Sequence, residues 1–248
     1  MHSTDQFRSE FDAYAENYKQ DLSHFCRRFV DPKENYFVDL KCAELHNLVR
    51  GFGHHPADLV VADIGCGIGD FERRLMGGFK HLLAFDLSLK MIQVAQRVAP
   101  LPQSGYICAN SLTLPLADNS VDVAFASCML HHMPTDTIPA VIRELQRVCR
   151  PGGLVICFEH NPFNPVTQLV VRTTPIDKTA TLLTSGALRR VFVDATLEEI
   201  SLHYLLFGPR ALEARLARYQ PWLRRTPLGA QYMIAGRKGQ CPRQGWAP

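Results

Sequence analysis

The chain has 248 residues, 27 basic against 24 acidic side chains, a net charge of +3 and a pI near 8.4. That length suits one α/β domain with a sizeable core, and a mildly basic balance without charge blocks gives no support to a nucleic-acid substrate. No apolar run approaches the ~18 residues that span a bilayer, and the polar N-terminus lacks a signal-peptide core, so a cytoplasmic protein without integral membrane association is expected. The eight cysteines include no C-x-x-C pair, so zinc and disulfide frameworks are poor readings and reduced thiols are expected. In chain order, Phe7, Phe11, Tyr14 and Tyr18 recur at helical spacing and line one face of an N-terminal helix, whose plain reading is packing onto the body.

Leu59 to Ala62 is a short apolar run of the kind a parallel strand buries on both faces, and Asp63 stands at its carboxyl edge. Gly65, Gly67 and Gly69 follow, permitting a tight turn in which a ligand meets bare main chain. A dinucleotide fingerprint needs glycine at position 70, where this chain has Asp70, an unwelcome charge beside a pyrophosphate. His81 to Phe85 reads as the second strand and ends at Asp86, 21 residues beyond Gly65, the spacing of an acid that accepts ribose hydroxyls. Strand three (Tyr106 to Ser111), the turn at Pro115 and strand four (Val121 to Ala126) come next. A helix from Thr137 to Cys149, the breaker Arg150-Pro151-Gly152-Gly153 and strand five (Leu154 to Glu159) complete a run of βαβ units. Their alternation predicts a doubly wound, mostly parallel α/β sheet.

The run Asp63-Ile64-Gly65-Cys66-Gly67-Ile68-Gly69, with Asp86 and the later strands, resembles the class I S-adenosylmethionine-dependent methyltransferases over Leu59 to Glu159. The resemblance implies a Rossmann-like seven-stranded sheet with its last strand, near Tyr232 to Ala235, antiparallel. It implies S-adenosyl-L-methionine as cofactor, held by Asp63, Gly65, Cys66, Gly67, Asp86, Leu87, Asn110, Ser111 and Ser127. At position 110 the family commonly carries aspartate for the adenine amino group; asparagine keeps a carbonyl acceptor. Phe11-Asp12-Ala13-Tyr14-Ala15-Glu16-Asn17-Tyr18 is similar to a helix that folds over the site mouth in related enzymes, which brings Tyr18 to the cofactor. Lys41, with Tyr36 and Phe37 on a second helix, could then pair with the methionine carboxylate; a solvated lysine is the plainer alternative. The layout expected is one domain over 1–248: a helical cap (1–50), a cofactor core (51–160), and a substrate-side insertion with the last sheet elements (161–240).

Methyl transfer to a hydroxyl needs a base, and three histidines stand at the sheet's carboxyl edge: His131, His132 and His160. Only one of the adjacent pair is expected to face the cleft. His160 is the preferred base, with His132 as second candidate and Glu159 orienting the ring, although a carboxylate so placed could instead face a helix N-terminus. The Pro- and Asn-rich stretch after Glu159 begins an insertion of substrate-side loop that reaches a helix near Gly186 to Ala195. Strand six (Glu198 to Leu206) leads to a helix from Arg210 to Arg225, kinked at Pro221, whose Leu212, Leu216, Tyr219 and Leu223 bury against the body or a second subunit. The alternative for that arginine-rich helix is peripheral contact with an anionic membrane. The function expected is methylation of a small molecule, O-methylation of a secondary metabolite, sugar-containing or lipid-like compound. C-methylation of the quinone-biosynthesis type and a non-catalytic cofactor-binding regulator are the alternatives.

Overall fold

The computed structural model describes residues 11–15, 36–101, 105–208, 212 and 215–240. Seven strands form one sheet in the order β3-β2-β1-β4-β5-β7-β6: β1 (Val60–Ile64), β2 (His81–Asp86), β3 (Gly105–Cys108), β4 (Val121–Ser127), β5 (Cys149–His160), β6 (Leu197–Leu205) and β7 (Gln231–Lys238). The first five run parallel, so Ile64, Asp86, Cys108, Ser127 and His160 end on one edge. Strand β7 is antiparallel to both neighbours. Its first residue therefore reaches the edge where the other strands finish, and Gln231 pairs with His160.

The central strands β1 and β4, and β5 from Leu154, are largely apolar and buried because helices cover both faces. On one face α4 (Ile138–Val148) and α6 (Ser185–Asp194) pack against Ala62, Ala124, Val155 and Ile234. On the other, α1 (Tyr36–Gly51) and α2 (Glu72–Leu75) bury Leu45, Val49 and Leu75 with Val61, Phe125 and Phe158. Helix α3 (Leu89–Val98) starts at Ser88, whose hydroxyl accepts from Met91 N at 3.1 Å. Helix α5 (Pro165–Thr173) starts at Asn164, which caps Thr167 N at 3.0 Å.

Strand β1 runs one residue past Asp63, which lies inside the strand and is buried. The arginine-rich segment also differs from expectation. After a 3-10 turn at Ala217–Tyr219, Pro221 opens a separate single turn, Gln220–Leu223, because proline starts a turn more readily than it continues one. Leu223 is buried, whereas Leu212 (41%), Tyr219 (48%) and Trp222 (63%) are exposed, so the expected apolar stripe does not bury as a unit within this chain. Arg210, with Phe7 and Tyr18, lies outside the described residues.

Candidate active site

The glycine loop is fixed to its neighbour strand by Gly65 N and Cys66 N, which both donate to Phe85 O at 2.7 and 3.0 Å. Gly65 and Gly67 have φ of +81° and +54°, the left-handed region that favours glycine. At Gly65 an added Cβ would lie 2.5 Å from Met129 Cγ; at Gly67 it would meet no protein atom and would project into the cleft. Asp86 Oδ2 accepts from Gly67 N and Oδ1 from Ser88 N, both at 2.9 Å, so this carboxylate ties the loop to the start of α3. Burial raises the Asp86 carboxyl, and the three backbone amides of Ser88, Gly67 and Leu87 work against that rise.

Beneath the loop, Asp63 and Glu72 are buried together. Burial first, and then the charge of Glu72, lifts Asp63 well above the usual carboxylate range; burial pushes Glu72 up to about 7. Asp63 lies behind the cleft wall and does not line it, against the expected cofactor contact; its neighbour is Glu72.

Helix α1 carries Lys41 inward. Its Nζ donates to Ser127 Oγ at 2.9 Å, reaches Cys128 Sγ at 3.4 Å, and stands 5.6 Å from the Phe71 ring centre. Lys41 is buried and no carboxylate of the described residues lies within ion-pairing distance, so the solvated-lysine alternative fails. Cys128 has φ +52°, and its sulfur also receives Gln231 Nε2 at 3.4 Å.

His131, His132 and His160 all line one cleft of about 510 Å3, so both members of the adjacent pair reach it where only one was expected. His131 and His132 form a 3-10 turn (Leu130–His132) after β4, and the His160 ring lies 5.0 Å from that of His131. Glu159 does not serve His160. Its Oε1 accepts from Leu130 N at 2.9 Å, at the start of the turn, and its Oε2 meets His131 Nδ1 at 2.6 Å. Side chains alternate along a strand, so neighbours on β5 face opposite sides and Glu159 cannot reach round to His160. Glu159 is thus a positioning residue behind the wall. Gln231 Nε2 is the neighbour of His160 Nδ1, at 3.4 Å.

Asp177, at the end of a 3-10 turn (Pro175–Asp177) in the insertion, reaches the same cluster. Burial opposes a charged His131, but the Glu159 and Asp177 carboxylates outweigh it and raise the ring to about 10. Burial and the His131 charge hold His132 down to about 3 and His160 to about 4. At neutral pH the cleft therefore presents one imidazolium and two neutral imidazoles. Sequence reasoning assigned no role to Asp177 or Gln231, since neither sits in a motif.

Among the other expected residues, Leu87, Asn110, Ser111 and Ser127 all line the cleft. Asn110 Oδ1 already accepts from Leu112 N at 3.0 Å, shaping the loop after β3. Phe11 meets His132 edge-on at 5.2 Å and Tyr14 Oη donates to Pro175 O at 3.5 Å, so residues 11–15 lie over the acceptor end. The site fits S-adenosylmethionine: a glycine with open space above it, a carboxylate beside the loop, and a buried cation without a carboxylate partner.

Residues 62–157 match the family model described as a methyltransferase domain, and with the strand order above the chain carries a class I S-adenosylmethionine-dependent methyltransferase domain. It is similar to malonyl-[acyl-carrier protein] O-methyltransferase of Marinomonas sp. (strain MWYL1), 34% identical over 154 residues, covering 58% of this chain and 53% of that one. It is also similar to the ubiquinone/menaquinone biosynthesis C-methyltransferase UbiE of Hahella chejuensis, 32% identical over 162 residues, covering 59% and 64%. The chain thus spans about half to two-thirds of these two relatives. In fold it matches magnesium protoporphyrin IX methyltransferase from Synechocystis PCC 6803 with bound SAH, with a TM-score of 0.67, 16% identity, and coverage of 96% and 100%.

Proposed function

We propose that this protein transfers a methyl group from S-adenosylmethionine to an oxygen of a small, largely apolar acceptor, with His160 as the base. The observation that carries the reading is the His160 imidazole at the end of β5, lining the same cleft as the glycine loop, where burial and the His131 charge hold it down to about 4. The cofactor supplies an electrophilic methyl on a sulfonium. Asp86 would accept its ribose hydroxyls, Lys41 would pair with its carboxylate, and Gly67 would leave room for its approach. Phe11, Phe37, Val170, Ile176 and Phe207 surround the remaining space and favour an apolar body. The protein's share of the chemistry is alignment, exclusion of water and acceptance of one proton by the His160 imidazole.

The O-methyltransferase relative supports oxygen as the acceptor atom, and the quinone-pathway relative supports a second reading, methylation of a ring carbon. Turnover tests both. S-adenosylhomocysteine release is measured over a panel of hydroxylated, carboxylated and quinol acceptors, and the labelled product is treated with mild alkali. An alkali-stable label that hot hydriodic acid releases as methyl iodide is a methyl ether and supports the proposal, a labile ester shows a carboxylate acceptor, and a label that resists both reagents is carbon-bound and overturns it. His160→Ala should lower kcat by about 10² to 10⁴ with cofactor affinity nearly unchanged. A similar loss in His132→Ala with His160→Ala active would move the role to His132.

A further inference from the structure

His131, His132 and Asp177 converge from two segments far apart in the chain. Asp177 Oδ1 lies 3.7 Å from His131 Nε2 and 3.5 Å from His132 Nε2, and the three atoms are all within 4.8 Å of one another. Ligand atoms about 2.0 to 2.2 Å from one ion stand roughly 3 to 4 Å apart, so the cluster needs little adjustment to share one.

A second observation concerns His131 alone. The residue is 2% exposed, its Nδ1 is engaged by Glu159, and its Nε2, buried and turned into the cluster, has no hydrogen-bond partner. An unpartnered buried nitrogen is costly. A carboxylate on the far nitrogen is also the usual arrangement that orients a metal-ligating imidazole.

We propose that His131, His132 and Asp177 form a binding site for one divalent transition-metal ion. Two imidazole nitrogens and a carboxylate suit zinc, and three protein ligands leave a coordination position facing the cleft. Glu159 on Nδ1 leaves Nε2 of His131 for the ion, on the side of Asp177.

The role of the ion rests on the methyl-transfer reading above. The ion would hold an acceptor oxygen at the open position, and His160 would take its proton while the O–H electron pair stays on oxygen. The new C–O bond would form as the C–S bond of the cofactor breaks, the C–S electron pair going to sulfur to leave a neutral thioether.

The test uses the full chain, stripped of metal by a chelator and titrated with Zn2+ by calorimetry and with Co2+ by visible absorption. One equivalent should bind, with cobalt d–d bands, and Asp177→Asn and His132→Asn should each weaken binding at least about tenfold, as loss of a ligand or its support does. The adjacent His54 and His55, remote from the cleft lining, provide the control: His54→Asn/His55→Asn should leave the titration unchanged. Absence of a stoichiometric site in the wild-type chain overturns the proposal without reliance on any variant. So does binding that survives both site variants, or that disappears with the His54/His55 control. Binding without turnover keeps the site and removes the methyl-transfer reading; turnover unaffected by chelation keeps that reading and removes the ion's role in it.

Discussion

Asp86→Ala separates the two tasks that the structure gives this carboxylate. Its oxygens accept from Gly67 N and Ser88 N, each at 2.9 Å, before any ligand is considered. Bonds to a charged acceptor are worth about 1.5 to 3 kcal/mol each, so losing both should cost on the order of 3 kcal/mol after partial relaxation. For a chain of this size, about 2 to 4 °C per kcal/mol converts that into a fall in Tm of roughly 6 to 12 °C. Loss of the ribose hydroxyl bonds removes about another 1.5 to 3 kcal/mol from binding, a weakening of roughly ten- to a hundredfold. Differential scanning fluorimetry and calorimetry with S-adenosylmethionine on the same preparation report the two effects. A lowered Tm with affinity within twofold of wild type would leave Asp86 as a loop brace and refute its role in holding the cofactor.

Gly67→Val should abolish cofactor binding with the sheet still formed by circular dichroism, because a side chain fills open space beside the cleft, and should lower Tm through its left-handed φ; Gly65→Val should lower Tm further, because its Cβ also meets Met129. Glu72 has its folded pKa raised from 4.5 to about 7, so wild-type stability falls as pH rises through that window, and Glu72→Gln should gain on the order of 1 to 3 kcal/mol at pH 8 and little at pH 4.5 in urea melts. His160 is lowered to about 4, so its basic form persists at acid pH and the acid limb of kcat/KM should lie well below 6.5; His131→Gln, which removes the neighbouring charge, should move that limb upward, and an unmoved limb would exclude His160 as the titrating group. Exposed Leu212, Tyr219 and Trp222 beside exposed Arg215 and Arg218 predict co-sedimentation with anionic vesicles that weakens at high salt; equal binding to neutral vesicles would count against charge attraction.

Much of the sheet was legible because β1, β2 and β4 are short apolar runs, and because the glycine loop and Asp86 are local features at a set distance; β5, however, begins at Cys149, so the expected breaker Arg150-Pro151-Gly152-Gly153 lies inside it, and β3 ends at Cys108, short of Ser111. The antiparallel seventh strand followed from the resemblance and not from periodicity, since a single strand carries no mark of its direction. The C-terminal helix misled for a reason that propensity shows poorly: spacing at 212, 216, 219 and 223 reads as one apolar face, yet Pro221 opens a new turn instead of continuing the old one. Glu159 was assigned to His160 on adjacency in sequence, although strand alternation directs the two side chains apart and leaves His131 as the carboxylate's partner.

What remained invisible is the part of the site made by tertiary arrangement. Gln231 reaches His160 only because β7 runs against β5, which delivers the first residue of one strand to the last residue of the other. Asp177 reaches His131 and His132 only because the excursion after β5 doubles back over the sheet edge, where Thr181 N donates to His131 O at 2.8 Å and holds it. Of the two, Asp177 bears on the charge of the acceptor side: with Glu159 it raises the His131 ring, and the His131 charge in turn helps hold His132 and His160 down. The cofactor side is written in one motif and its spacing, whereas the acceptor side depends on which loop folds back upon which strand. Enzymes sharing the first can therefore differ widely in the second, and acceptor choice is best sought by varying Asp177, Gln231 and the apolar residues around them while leaving the glycine loop untouched.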